Sequence, residues 1–544
     1  MQHHSDNKMV IHSDQIDYAG QQTLVATLLD VHLCPKELQE VRLIETHVSW
    51  VLLAGKYAYK IKKALNLGFL DFTSLQARLF YCLEEIRLNH RLAPDIYLDV
   101  IPIGGKPEAP ETGQLPAIEY AVRMNCFIPE NQLDQLLARG QVSMRLIDDL
   151  AASLADFHLN LPLLNNDAPY GSPASIREVV RENFNQLRSL PTEEPNDDFL
   201  ENIVKTTEIV FAEREKYFDQ RHRQGFIREC HGDLHLGNIV LIGKRLVPFD
   251  GIEFNPALRW IDVMDDVAFL VMDLLNAHRP DAAFRFLNAY LEETGDYAGL
   301  SLLAFYIAYR AEVRAKIYAL LAAQSNLRVD IYMQHLEKSR RYLALAAQSL
   351  SKQHPSIIIT HGLPGSGKST LAQSVVERYQ VIRIRSDVER KRIFGLKPLD
   401  NSDLINNHDI YSAETTQRTY NHLLDLAQNI LSAGYSVIVD AAFLQHKERE
   451  LFQKLALGMA APFIIVSVKA TLPTLKSRIM LRRNQADDPS EADIAVLEML
   501  QSAQELLLPL ELEKTVECLN ENDSGIAEDN PIWNALETLM ESRQ

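Results

Sequence analysis

The 544-residue chain is 47% hydrophobic and 24% charged, the balance of a soluble globular protein, which excludes a mainly disordered one. Its length predicts about three or four packed units rather than one small module. With 55 Lys and Arg against 73 Asp and Glu, the net charge of −18 gives no general attraction to phosphate polymers or anionic membranes, so any nucleic-acid contact must be local.

Met1 to Tyr18 lacks the apolar run of about 7 to 15 residues that an export signal needs. The five cysteines, Cys34, Cys82, Cys126, Cys230 and Cys518, are widely spaced and form no Cys-x-x-Cys pair, which suits a reducing cytoplasm. From Val41 to Ile103 short β-like runs dominate, notably Val48 to Leu53 and Tyr57 to Ile61, before a helical stretch from Leu75 to Leu92. From about Asn131 to Leu350 helical patterns prevail, broken by a Gly-, Asn- and Asp-rich ribbon from His231 to Asn255. Leu300 to Ala323 is the most apolar stretch, yet Arg310, Glu312, Arg314 and Lys316 interrupt it, so it reads as a buried helix and not a membrane span. After residues 351–355 the pattern alternates strand and helix, with strands at Ile357 to Thr360, Val381 to Arg385, Val437 to Val439 and Phe463 to Val468, which implies a parallel doubly wound sheet. The predicted organisation is therefore a mixed lobe over 1–130, a helical lobe over 131–350, a linker at 351–355 and an α/β domain over 356–544.

Two constellations carry chemistry. The first is His231-Gly232-Asp233-Leu234-His235-Leu236-Gly237-Asn238, followed by Phe249-Asp250-Gly251. Phosphoryl transfer without a glycine-rich phosphate loop needs a carboxylate for the acceptor hydroxyl, here Asp233, and two metal ligands, here Asn238 and Asp250. His231 and His235 are spaced as zinc ligands would be on a helix, but Gly232 and Gly237 argue against such a helix.

The second is Gly362-Leu363-Pro364-Gly365-Ser366-Gly367-Lys368-Ser369, a complete G-x-x-x-x-G-K-[ST]. Its glycines let backbone N–H groups curl around phosphates, Lys368 reaches the terminal oxygens, and the Ser369 hydroxyl takes a Mg²⁺ position, with Thr370 opening the helix. ATP and Mg²⁺ are the implied cofactors. Ser386-Asp387 follows the second strand on the same rim of the sheet, where Asp387 would accept the proton of an acceptor hydroxyl; capping the next helix is the competing reading. Arg390, Lys391 and Arg392 lie one turn on, either to bind an anionic group of the acceptor or as a solvated basic face. Val437 to Asp440 is a buried strand ending in a carboxylate suited to the Mg²⁺ shell. No Glu follows Asp440, which disfavours a P-loop motor or AAA-type ATPase. Arg478, Arg482 and Arg483 recur before a polar loop and would form a lid, with Arg482 stabilising transition-state charge, or else an exposed helix face.

These motifs carry resemblances. From Ser356 to about Leu506 the chain resembles the small P-loop kinases that include polynucleotide 5′-hydroxyl kinases, zeta-toxin-like kinases and gluconate kinases, in which the residues matched by Asp387 and Arg390 activate and hold the acceptor. From Val41 to Leu350 it resembles the aminoglycoside phosphotransferase family of the protein-kinase-like fold. That resemblance implies that Lys60 or Lys62 meets the nucleotide phosphates, pairs with Glu85 or Glu84, and that adenine sits near Met124 to Phe127, with Asp262 and Asp266 bracing the catalytic loop. The protein-kinase G-x-G-x-x-G is missing, since only Gly55 stands between the two candidate strands. The order of both sets resembles two-domain bacterial proteins that fuse an aminoglycoside-phosphotransferase-like enzyme to a P-loop kinase. The expected fold class is thus an α+β, bilobal protein-kinase-like part followed by an α/β P-loop domain. The expected activity is transfer of a γ-phosphoryl group to a hydroxyl, on a small molecule or a nucleic-acid 5′ end, with one half as a nucleotide-binding regulator as the alternative and no membrane partner.

Overall fold

The computed structural model describes residues 16–29, 41–66, 68, 70–165, 168–190, 198–324, 327–400, 412–482, 490–521, 526–527 and 529–541. Contacts divide the chain into two units, one of 1–142, 161–171 and 227–261 and one of 143–160, 172–226 and 262–544. This division differs from the three consecutive segments expected. The ribbon set into the helical stretch groups with the N-terminal sheet, and the helices group with the P-loop sheet.

The first unit is built on a six-stranded antiparallel sheet, ordered Arg42–Glu45, Ser49–Ala54, Tyr57–Lys62, Glu119–Asn125, Tyr97–Lys106, Ala109–Thr112. Strand side chains alternate between faces. On one face Trp50, Leu52, Ile61 and Ala121 pack with Leu24 and Val25 of the helix Tyr18–Leu29. On the other, Tyr97 and Val122 pack with Cys82 of the helix Leu75–Asn89, whose first turn is capped by the Ser74 hydroxyl. A hairpin of Ile239–Ile242 and Arg245–Pro248 completes the unit and adds Val240 to this second core.

The second unit joins long helices to a five-stranded parallel sheet ordered Ile382–Arg385, Val437–Asp440, Ile357–His361, Phe463–Lys469, Thr515–Leu519. Ile357, Ile358 and Ile359 are wholly buried, as in a sheet covered on both faces, and this explains their unbroken apolar run. The expected fold class, α+β followed by α/β with a parallel sheet, is the observed one. The stretch at Leu300–Ala322 is one helix burying Arg310 and Glu312, and no helix among the described residues is long and apolar enough to cross a membrane. None of the described cysteines, Cys82, Cys126, Cys230 and Cys518, forms a disulfide; Cys34 lies outside the described residues.

The helix Pro280–Thr294 runs along the outermost strand of the parallel sheet. Its Asn288 side chain accepts the Arg383 N–H at 2.6 Å and donates to the Val381 carbonyl at 3.0 Å, so the open edge of Ile382–Arg385 finds partners in a helix.

Candidate active site

In the first unit the lysine strand and the helix behind it meet through Glu85. Lys60 Nζ lies 2.7 Å from Glu85 Oε1 and 2.6 Å from Asp250 Oδ1, and Lys62 Nζ lies 2.7 Å from Glu85 Oε2 and binds Glu253. Burial disfavours the Lys60 ammonium, but the Asp250 and Glu85 carboxylates outweigh it and hold its pKa well above the usual range. Glu85 is held below the usual carboxylate range by the same two lysines, against the effect of its burial. Of the alternatives, Lys60 is the lysine that reaches Asp250, whereas Lys62 is wholly buried. Glu84 instead pairs with Arg87 and Arg259.

The ribbon turns Asp233 and Asn238 toward each other, with Asn238 Nδ2 donating to Asp233 Oδ2 at 2.9 Å. His231 is within 3.0 Å of the Phe249 carbonyl through Nε2, and the 3.5 Å approach of His235 Nε2 to Asp233 Oδ2 leaves both histidines engaged within the ribbon. Asp250 adopts φ 62°, with its N–H donating to the Tyr97 hydroxyl at 3.1 Å, and the next N–H, of Gly251, donates to Asn89 at 2.8 Å. Sequence reasoning missed Tyr97, Asn89 and Glu253, which carry no local motif. It also missed the strand Arg42–Glu45, which moves the segment expected to cover phosphates to Thr46-His47-Val48, a tight turn without glycine; Gly55 belongs to the following hairpin.

In the second unit the P-loop bends between strand Ile357–His361 and helix Lys368–Tyr379. Gly362, Gly365 and Gly367 have φ of 146°, 81° and 94°, and an added Cβ would lie 2.3 Å from the Val468 carbonyl, 2.9 Å from the Leu475 carbonyl and 2.0 Å from Asn520 Nδ2, respectively. Only glycine fits all three positions. Asn520, at the end of the last strand, donates to the Ser366 carbonyl at 3.1 Å, and Lys368 Nζ donates to the Leu363 carbonyl at 2.9 Å.

A cavity of about 470 Å³ opens on this loop. Pro364, Gly365, Gly367, Lys368, Ser369 and Thr370 line one side; Asp387 and Arg390 line another, and Asp440 lies between strand ends. Gly362 and Ser366 sit behind this wall, where they shape the loop. The Ser366 Oγ and Asp440 Oδ2 atoms are buried with no hydrogen-bond partner, and Asp440, which lines the cavity, is placed to complete its shell with a cation. The residues thus fit a bound nucleotide with a divalent metal.

The arginine and lysine positions separate. Arg390 lines the cavity, whereas Lys391 pairs with Glu491 at 2.9 Å and Arg392 pairs with Glu389. Arg478 turns to the loop's own surroundings, donating to the Asn520 carbonyl at 3.0 Å and the Gly365 carbonyl at 3.4 Å. Arg482 ends the helix Leu472–Arg482 and its side chain lies outside the described ones, as does Arg483. Asp262 caps the helix Val263–Asn276 and pairs with Arg221 at 2.6 Å, and Asp266 lies 3.2 Å from His158.

The AAA domain family matches residues 357–507. A putative kinase from Chloroflexus aurantiacus is 23% identical and covers 34% of this chain and 98% of its own, with a TM-score of 0.28. Aminoglycoside 2′-phosphotransferase-IIIa is 14% identical over 60% of this chain and 99% of its own, with a TM-score of 0.38. The paired lysines, the ribbon carboxylates and the P-loop cavity are the equipment of a phosphotransferase in general. The protein Rv2004c of Mycobacterium tuberculosis is 30% identical over 455 residues, 83% of this chain and 88% of its own, and the chain belongs to the same family as that protein.

Proposed function

We propose that the chain is an ATP-dependent phosphotransferase with two sites, of which the P-loop site transfers a γ-phosphoryl group to the hydroxyl of a small molecule bearing an anionic group. The observation that carries this reading is the single cavity that Lys368, Ser369, Asp387, Arg390 and Asp440 share. There Lys368 and the loop N–H groups hold the terminal phosphates, Ser369 and Asp440 hold Mg²⁺, Asp387 accepts the acceptor's hydroxyl proton, and Arg390 fixes the acceptor's anionic group. When bound, ATP supplies the phosphoryl group and Mg²⁺ withdraws charge from it.

A small acceptor is favoured over a nucleic-acid 5′ end because the basic rim is spent internally. Arg383 and Arg385 both pair with Glu292 at 2.8 Å, and Lys391 and Arg392 have acidic partners. A polymer would need several such cations directed outward. Motor work is disfavoured because Ala441 and Ala442 follow Asp440 and because the Asp440 strand pairs directly with the P-loop strand.

For the N-terminal part, proposed as the bilobal segment 1–350, Asp233 takes the acceptor proton, Asn238 and Asp250 hold the metal, and Lys60 meets the phosphates. A regulatory role is the second reading there. It is favoured by the glycine-free turn at Thr46-His47-Val48 and by Lys60 being engaged by both Glu85 and Asp250.

The test is a labelled γ-phosphate assay on the full chain with phosphorylated and unphosphorylated sugars, choline, aminoglycosides, nucleosides and 5′-hydroxyl oligonucleotides. Label on small anionic alcohols that is lost in Lys368→Ala is expected. Label on oligonucleotides alone would overturn the acceptor class, and steady ATP hydrolysis with no labelled acceptor would overturn transfer.

A further inference from the structure

Arg385 stands beside Asp440 on the adjacent parallel strand, in direct register. In-register side chains on neighbouring strands lie about 5 Å apart on one face, so a guanidinium so placed ordinarily closes on the carboxylate as a two-pronged hydrogen-bonded pair. It does not do so here. Arg385 Nε stops 3.8 Å from Asp440 Oδ2, and that oxygen has no hydrogen-bond partner. The guanidinium is drawn instead to Glu292, whose Oε1 accepts from Arg385 Nη1 at 2.8 Å while Oε2 accepts from Arg383 Nη2 at 2.8 Å. Arg383 and Arg385 are two residues apart on one strand and share a face, so one carboxylate spans both.

Glu292 is itself fixed. Its helix is tied to the strand by the two Asn288 hydrogen bonds, and its backbone carbonyl accepts from Arg392. Burial works against its carboxylate, yet Arg383 and Arg385 outweigh that and pull its pKa down to about 2, so it is ionised at working pH.

We infer that Glu292, a residue of the helical stretch outside the P-loop domain, is a positioning residue for the P-loop site, holding Arg385 back from Asp440 so that this carboxylate stays open to a divalent cation. The inference rests on the P-loop reading given above. Without the Glu292 charge, Arg385 turns to Asp440, whose Oδ2 already lies 3.8 Å from its Nε, and competes with the cation for it.

The test uses the full chain and needs no acceptor. Binding of a non-hydrolysable ATP analogue is titrated with Mg²⁺ by calorimetry in the natural chain, Glu292→Gln, Arg385→Gln and the double variant, and the signal lost in Lys368→Ala is assigned to the P-loop. Glu292→Gln is expected to raise the half-saturating Mg²⁺ concentration on the order of ten-fold, while binding at saturating Mg²⁺ stays within about two-fold. The double variant is expected to return to the Arg385→Gln value, because removing the competitor removes the defect. An unshifted Mg²⁺ requirement in Glu292→Gln, or a double variant that keeps the shift, overturns the inference and leaves the P-loop reading standing. A natural chain that binds no Mg²⁺-dependent nucleotide through Lys368 overturns both. Thermal melts accompany each variant, and if Glu292→Gln melts too early to read, Glu292→Met, which also lacks the charge, is scored by the same two criteria.

Discussion

The two candidate phosphate sites handle charge in opposite ways. In the first unit the groups are already satisfied by one another: Lys60 joins Glu85 and Asp250, Lys62 joins Glu85 and Glu253, and Asn238 donates to Asp233. In the P-loop the backbone forms the cradle, the Ser366 Oγ and Asp440 Oδ2 atoms are buried without hydrogen-bond partners, and Asp440 lines an open cavity. The difference teaches that the first site is part of what holds its unit together, and on the proposed reading the Lys60 to Asp250 pair must open before Asp250 takes a metal. The second is preformed around its backbone, and the comparison predicts that its lysine adds little to the stability of its sheet.

The sharpest way to break this comparison is Asp387→Asn, which is expected to lower transfer by the P-loop part by a factor of about 10² to 10⁴ with nucleotide affinity unchanged in calorimetry. Full activity would reduce Asp387 to a helix cap. Next is a matched pair of lysine substitutions. Lys62→Met leaves Glu85 and Glu253 buried without that cation and is expected to destabilise by about 3 to 5 kcal/mol in urea unfolding. Lys368→Met is expected to stay within about 1 kcal/mol while abolishing Mg²⁺-dependent nucleotide binding at the P-loop. Equal destabilisation by both would erase the distinction between a structural and a preformed site.

Asn288→Ala strands an N–H and a carbonyl on the sheet edge and is expected to cost about 1 to 3 kcal/mol, read by the same unfolding curves. The smallest effect appears only in acid. Glu292 is depressed from the ordinary 4.5 to about 2, so its contribution to stability is complete above about pH 4.5 and is lost as pH falls toward 2. Melting temperatures over that interval are expected to fall less steeply in Glu292→Gln than in the natural chain.

Much of the P-loop part was legible because its signals are local. The glycines of the loop are contiguous, the parallel strands are unbroken apolar runs, and the expected strands fall within about one residue of Ile357–His361, Ile382–Arg385 and Val437–Asp440. The ribbon was legible for the same reason, since Asp233 and Asn238 are close in sequence. What escaped is what long-range contact decides. Glu253 gives no sign that it faces Lys62, and Asn288 and Glu292 read as ordinary helix residues. The basic run from Arg383 to Arg392 shows the reverse error. It looks like an anion-binding rim, but acidic partners as distant as Glu292 and Glu491 take up most of it. The strands Arg42–Glu45 and Thr515–Leu519 lie at sheet margins, where weaker patterning suffices.

The Asn288 contact also sets an order of events. Asn288 precedes Val381, the residue it binds just before the strand, by 93 positions, so on a ribosome the covering helix emerges well before the edge it protects. The outermost strand of the nucleotide-binding sheet therefore need never be exposed to a neighbouring nascent chain. A gene arrangement that reversed the two parts would present that strand first, as an open template for aggregation.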